Sequence, residues 1–476
     1  MAVPPGPDDP PEEAETELAG VLLRLWAVQR DPEHLDEAER AATGLRTPAG
    51  RAALGRVLYE RAVAAGAAPD LLIAADREFA AAGADPALHR DCAVLRARTL
   101  LRLAALRDDA GPLHEARAAL EPVAAAEGPP DPELLLTLGR VLVALLPRTP
   151  DRAQRTALAE RAADTLTTAL TTLLTPAPGP GPAPDSADAP GLAARVRVEL
   201  GAALRYLPAR LEEAAARLAP ALEDPAADSA LRLAALLGLA RVHRARYRRD
   251  ADPTALEDAA EAYGRARRLI PRDGEAFGEL LPEWGDALLD RARAADGRRF
   301  ASTAVRVLRE SRAAVPQSDP GAAYRLRRLA AGLRLRHAYE GDLVDLREAE
   351  YLLELAVRQG HGPLDRARAW REHGDVQQEI HAHTRTADRL DRAADSYRRA
   401  WRAALEADRD GDAAAALPLA ARVQELRGEV LERLARPRAA LDAYRAALDL
   451  LQRLGEGDGV PARAVRARVR ALEAGP

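Results

Sequence analysis

The chain of 476 residues has no lysine, no asparagine, a single cysteine, a single methionine and only 3 % aromatic residues. Each absence removes something. One cysteine, Cys92, leaves no intramolecular disulfide. Without lysine, all 69 basic residues are arginine and a phosphate-binding G-x-x-x-x-G-K-[ST] loop cannot exist. Lysine and asparagine codons are A-rich, so a high-GC genome accounts for the loss of both. Three isoleucines (Ile73, Ile270, Ile380) and so few aromatics exclude a β-sandwich or barrel. The longest apolar stretch, Leu134 to Leu146, is broken by Arg140 and too short to span a bilayer. The opening MAVPPGPDDPPEE lacks the basic start and apolar run of a signal peptide, so a cytoplasmic protein without membrane insertion is expected. The net charge is −5 with acids and arginines interspersed, which gives no general attraction to nucleic acid.

What is abundant is helix-forming: Ala, Leu, Arg and Glu dominate. An alanine followed four residues later by another apolar residue recurs ten times. The alanines are Ala38, Ala75, Ala116, Ala162, Ala214, Ala259, Ala304, Ala349, Ala393 and Ala440. From Ala214 the steps are 45, 45, 45, 44 and 47 residues. A fixed period of this size marks a stacked repeat array, in which each unit leans only on its neighbours.

Each period holds two helices. The second opens on a cap: Asp31-Pro32, Asp252-Pro253 and Asp342. Asp accepts a bond from a free first-turn amide, and Pro tolerates the first helical position. Pro225, Pro271 and Pro316 should lie beyond the ends of their helices. The first helix carries its own mark in Gly55, Gly139, Gly201, Gly238, Gly285, Gly332, Gly374 and Gly428. A helix-interior glycine costs about 0.5–1 kcal/mol relative to Ala. Its recurrence therefore predicts close helix approach, glycine against the alanine of the next helix, with a Leu, Tyr or Phe filling the adjoining groove.

Gly, Leu three later, then Ala-x3-[Tyr/Phe/Leu]-x2-Ala resembles the tetratricopeptide repeat. Leu200-Gly201, Leu204, Ala214, Leu218, Ala221 and Gly428, Leu431, Ala440, Tyr444, Ala447 match it best. Trp370 keeps an aromatic four before Gly374. The unit is longer than the family's ~34 residues. It is similar to the long repeats of high-GC bacterial proteins that adjoin CHAT or NTPase switch domains, although the repeats use up this chain. The resemblance implies an all-α, right-handed α-solenoid of about ten antiparallel helix pairs. The expected layout is a disordered tail over 1–13, repeats over 14–174, a Pro/Gly-rich linker over 175–191, repeats over 192–457 and a capping helix over 458–476.

In this family the first helices line the concave groove, one residue and four to five residues after the glycine. That correspondence puts Arg56, Tyr59, Arg140, Val143, Arg205 and Tyr206 there in the N-terminal half. It puts Asp286, Asp290, Asp375, Glu379, Glu429 and Glu432 there in the C-terminal half. An acidic half suits a basic peptide or helix. The clamp by which the family grips C-terminal carboxylates needs Lys and Asn, and this chain has neither.

The remaining chemistry is sparse. Cys92 has His89 three residues before it, yet a buried structural thiol explains it. His373, His381 and His383 cluster with Asp375 and Glu379, and Asp375, Glu379 and His383 share roughly one helix face. A polar groove face explains these, and no metal or cofactor is expected. Asp408, Asp410 and Asp412 with Gly411 do not fit a calcium loop, where glycine is sixth and glutamate twelfth. No G-x-S-x-G is present. The function expected is a non-catalytic protein–protein scaffold in a signalling assembly, with self-association through an open end also possible. The alternatives are an arginine-mediated nucleic-acid binder and a metal-dependent regulator or enzyme built on His373 to His383.

Overall fold

The computed structural model describes residues 12–474, apart from 67, 108, 127, 176–188, 225–226, 271–274, 295–296 and 317. Among the described residues there are helices and no strands. The chain contacts divide at Arg249 and Asp250 into two units. In the first, α1 (Glu12–Gln29) packs on α2 (Pro32–Ala42), α3 (Pro48–Ala64) on α4 (Pro69–Ala82), α5 (His89–Arg107) on α6 (Gly111–Ala124), and α7 (Pro132–Leu145) on α8 (Arg152–Leu174). There α9 (Ala189–Leu204) packs on α10 (Leu211–Leu218), followed by the short α11 (Pro220–Glu223) and by α12 (Ser229–Asp250). The second unit holds α13 (Pro253–Arg267), then the pairs α14 (Glu275–Arg293) with α15 (Arg298–Ala313) and α16 (Ala322–Glu340) with α17 (Leu343–Gln359). It continues with α18 (Pro363–Thr384) on α19 (Asp388–Arg409), α20 (Ala413–Arg433) on α21 (Pro437–Arg453), and the last helix, α22 (Val460–Ala474).

All ten periodic alanines stand in second-position helices, and each is 0 % exposed. The glycines answer them, in a different way from the one expected. The side chain four residues after the alanine, and not the alanine, lies over the glycine. A Cβ on Gly285 would stand 2.3 Å from Leu308, on Gly139 2.4 Å from Leu166, and on Gly55 2.7 Å from Phe79. Gly374 and Gly428 receive the rings of Tyr397 and Tyr444, each 2.5 Å from such a Cβ. The alanine lets the helices approach, and the glycine makes room for the knob beside it. Gly238 and Gly332 depart from the pattern: Gly238 meets Leu218 of α10 at 2.9 Å, and Gly332 meets Val305 and Leu308 of the preceding helix at 3.3 and 3.5 Å.

The caps form where the sequence puts them. Asp31, Asp252 and Asp342 accept the amides of Glu33, Thr254 and Val344 at 3.0, 2.9 and 2.9 Å. Before Asp342 the chain turns through Gly341 at φ +75°, a left-handed conformation that glycine adopts without a Cβ penalty. Pro316 lies outside α15 as expected; Pro225 and Pro271 fall outside the described residues. So do residues 1–11 of the expected tail, whereas Glu12 and Glu13 already belong to α1. The expected linker also falls mostly outside the described residues, which resume at Ala189 with α9. Packing continues past it: Leu166 and Leu170 of α8 share one core with Val196 and Leu200 of α9. At the other end, Val465, Val469 and Leu472 of α22 rest on the core of α19 to α21.

Candidate interaction surface

The first-position helices α3, α7, α14, α18 and α20 carry most of the residues that the sequence assigns to the groove; Arg205 and Tyr206, expected on α9, lie in the turn just after its end at Leu204. In the first unit these form an arginine–tyrosine row. Arg56 is exposed on α3. Tyr59, one turn on, lies under Arg102 of α5, whose guanidinium sits 5.4 Å from the ring centre and donates to the hydroxyl at 2.8 Å. Arg205 stacks on its neighbour Tyr206 at 4.6 Å and donates to its hydroxyl at 2.8 Å. Arg140 of α7 is exposed and reaches Glu199 of α9 at 3.2 Å. Burial pushes the Glu199 carboxyl above its ordinary range, and Arg140 works against that rise. Val143 is half-buried beside the same core. Arg102 was not singled out in the sequence. Its signal was there: it stands 43 residues after Tyr59, close to one repeat.

In the second unit the acidic row is already occupied. Asp286 binds Arg328 at 2.5 Å and accepts the Tyr324 hydroxyl at 2.6 Å. Glu379 takes both Nε and Nη2 of Arg334, at 3.0 and 2.6 Å. Asp375 lies 3.6 Å from Arg334 and 3.2 Å from Arg371, and accepts the Tyr397 hydroxyl at 2.7 Å. Burial raises the Asp375 carboxyl, and Arg334 and Arg371 counter it. Burial disfavours the Arg334 charge, yet Glu379 and Asp375 hold its pKa above the ordinary arginine value. Glu432 accepts from the Tyr444 hydroxyl at 2.5 Å and lies 3.5 Å from Arg468 of α22. Asp290 pairs with Arg293 one turn away at 2.9 Å. Glu429 differs from the rest of the row: it is half-buried, and burial pushes its carboxyl up.

Asp286, Asp375 and Glu379, expected on an acidic face, are thus each paired with an arginine of the array. The cause is the period itself. Arg327 with Glu372, Arg334 with Glu379 and Arg453 with Asp408 each span 45 residues. Equivalent positions in successive repeats face each other. An arginine in one repeat neutralises an acid one repeat on, or one repeat back for Arg453. Asp408 is held in this way, at 2.8 Å from Arg453.

The histidine cluster is dispersed as well. His373 is buried and hydrogen-bonds Ser396 at 2.9 Å and Gln377 at 3.3 Å. Burial holds its pKa down to about 4. His381 meets the Thr386 carbonyl at 2.9 Å, and His383 packs edge-on against His337 with ring centres 5.7 Å apart. Asp375, Glu379 and His383 do not converge, because the two acids turn to Arg334. A different trio does: atoms of Glu350, Glu354 and His373 lie within 4.8 Å of one another. Glu350, however, already accepts from Arg389 at 2.7 Å and Gln377 at 2.8 Å. An arginine at that distance opposes a cation, so the trio is poorly suited to a metal. Cys92 is buried, its thiol pKa is raised by burial, and His89 turns its Nδ1 to the Gly83 carbonyl at 2.8 Å. Among the described residues no helix is long and apolar enough to cross a membrane.

No protein-family profile and no curated protein matches the chain. Solved structures do match it. A signal transduction ATPase with numerous domains and a tetratricopeptide repeat sensor, from Pyrococcus horikoshii, aligns at 14 % identity and a TM-score of 0.50, covering 98 % of this chain and 66 % of that one. The apo quorum sensor NprR of B. thuringiensis aligns at 12 % identity and a TM-score of 0.44, covering 81 % and 98 %. A human IFIT1 dimer with PPP-AAAA aligns at 13 % identity and a TM-score of 0.39, covering 93 % and 95 %. At such identities the likeness speaks for fold alone: the helix pairs are of the tetratricopeptide type.

Proposed function

We propose that this protein is a non-catalytic interaction scaffold that holds a partner peptide or helix along its first-position helices, in a signalling or regulatory assembly. The observation that carries the reading is two arginine–tyrosine stacks, one between α3 and α5 and one in the turn after α9. There Arg102 is fixed on Tyr59 and Arg205 on Tyr206, while Arg56 stands exposed. Rigid, amphipathic Arg and Tyr groups are the side chains that anchor protein interfaces. The acidic row of the second unit, with Asp286, Asp375 and Glu379 already paired, offers a basic partner little free charge. The setting rests on two supports: the long-repeat resemblance to arrays beside CHAT or NTPase switch domains, and the archaeal neighbour, whose repeats serve as the sensor of a signal transduction ATPase.

A photo-crosslinking residue placed at position 56 in the native cell tests this. The expected outcome is a discrete protein adduct that is absent when the same residue replaces Glu160, on the exposed side of α8. Equal adducts at both positions would refute the assignment of the face. The same stacks could also grip phosphates, so a salt titration separates the second reading. A nucleic-acid complex loses affinity steeply with salt, by one power for each phosphate contact or nearly so. Charge reversal at Asp375 or Glu379 is a poor probe, because it strands Arg334.

A further inference from the structure

Between α19 and α20 lies a pocket of about 250 Å³ lined by Asp391, Asp395, Arg398, Arg427, Leu431 and Arg436. Its charges do not balance. Asp391 is matched by Arg436 at 2.8 Å. Asp395 is matched by Arg398 and by Arg399. Among the described residues Arg427 has only a long contact, 3.4 Å, to the amide oxygen of Gln424. Arg402, one turn beyond Arg398 on α19, forms no ion pair among the described residues. Burial presses the Arg427 pKa down, and the charges of Arg398 and Arg402 press it further; Asp442 is the opposing carboxylate. The fold thus holds a half-buried arginine against two like charges. Such an arrangement costs stability unless an anion completes it.

We propose that Arg398, Arg402 and Arg427 bind a single phosphoryl group carried on a phosphorylated side chain of a peptide. Arg402 and Arg427, neither in an ion pair among the described residues, leave up to two positive charges, of which Asp442 offsets part. A phosphomonoester supplies about −1.5 to −2 at neutral pH, where a carboxylate supplies half as much. The planar fork of arginine matches phosphate oxygens two at a time. The pocket takes a small group. The acids around it, Asp391 and Asp395 on its wall and Asp442 beside Arg427, oppose a strand with a charge at every nucleotide, so an isolated phosphoryl on a peptide is favoured over nucleic acid. Arg427 precedes Glu429 by two residues and so lies about 200° round α20 from the first-helix row. The site therefore stands or falls separately from the function proposed above.

Calorimetry on the full chain at constant ionic strength tests it, using a short alanine peptide with a central phosphoserine, its unphosphorylated twin and a 5′-phosphorylated RNA oligonucleotide. The phosphopeptide is expected to bind saturably, at least tenfold more tightly than either of the others. Arg427→Gln should weaken it at least tenfold and Arg402→Gln several-fold, while Arg358→Gln on the exposed side of α17 leaves it unchanged. Without peptide, Arg427→Gln should melt at or above the wild-type temperature, because a repulsion has been removed; a residue that merely held the fold would lower it. Absence of phosphopeptide binding, binding that Arg427→Gln leaves intact, or preference for the oligonucleotide would each overturn the proposal.

Discussion

Replacing Gly285 by alanine sets two opposed effects against each other. In a helix interior the change is ordinarily favourable by about 0.5–1 kcal/mol, because alanine restricts the unfolded chain and favours helix. At this position the new methyl would stand 2.3 Å from Leu308 Cδ2 and 2.7 Å from its Cγ, well inside contact distance. Leu308 is fully buried between α14 and α15, so it cannot swing aside into solvent. Overpacking of this kind costs about 1–3 kcal/mol, which outweighs the helix gain and leaves a net loss of about 1–2 kcal/mol. Gly20→Ala is the matched control. A Cβ there meets only the end of Arg24, at 3.9 Å, so the substitution should stabilise by about 0.5–1 kcal/mol. Urea denaturation, with hydrogen exchange of α14 and α15 as the local readout, measures both. Combining Gly285→Ala with Leu308→Ala should cost less than the sum of the single changes, since the second removes the clash created by the first. A neutral or stabilising Gly285→Ala, or strict additivity of the pair, would refute the reading of the glycines as sockets.

His373 supplies a pH test. Its folded pKa of about 4 lies below an unfolded value of about 6.5, so the unfolded chain binds the extra proton between these values. Stability is then unaffected above pH 6.5 and falls as pH drops from there toward 4. Between pH 7 and 5 the loss from this residue is about 2 kcal/mol, and His373→Gln should flatten that part of the urea-midpoint profile. Arg334→Ala leaves Glu379 without its arginine, while Asp375 keeps Arg371, and should cost about 2–4 kcal/mol, less than a fully buried pair because Glu379 is 37 % exposed; Arg334→Ala with Glu379→Gln should recover part of it in thermal melts. Cys92 is 1 % exposed with its thiol pKa raised by burial, so Ellman's reagent should label it only as fast as α4 and α5 open; rapid labelling of the native protein would contradict its placement.

The helix pairs were legible in the residues because their determinants are local. Asp252 and Asp342 sit two positions before the amides they cap, and Ala259 or Ala304 marks a helix face within one turn. The seam was legible too, although its geometry was misjudged. Sequence shows that Gly374 and Ala393 recur together, but not that the Tyr397 ring, four residues on, occupies the socket. The surface was much less legible. Glu379 looks free when only its own helix is considered, and Asp375, Glu379 and His383 look like neighbours by helical phase alone. Arg427 drew no attention, because a lone arginine in an arginine-rich chain carries no signal until α19 brings Arg398 and Arg402 beside it.

The sequence alone therefore determined that this is an all-helical array of paired helices, where three of the second-position helices begin, and which small residues face the seam. Those properties depend on contacts within a turn or on a pattern repeated ten times. Only the tertiary structure decided which charges remain available. An arginine meets an acid 45 residues away only once the rise and rotation from one pair to the next are set, as for Arg334 and Glu379. That displacement follows from how each pair packs on the next, a property of packing in three dimensions that no single stretch of the chain contains.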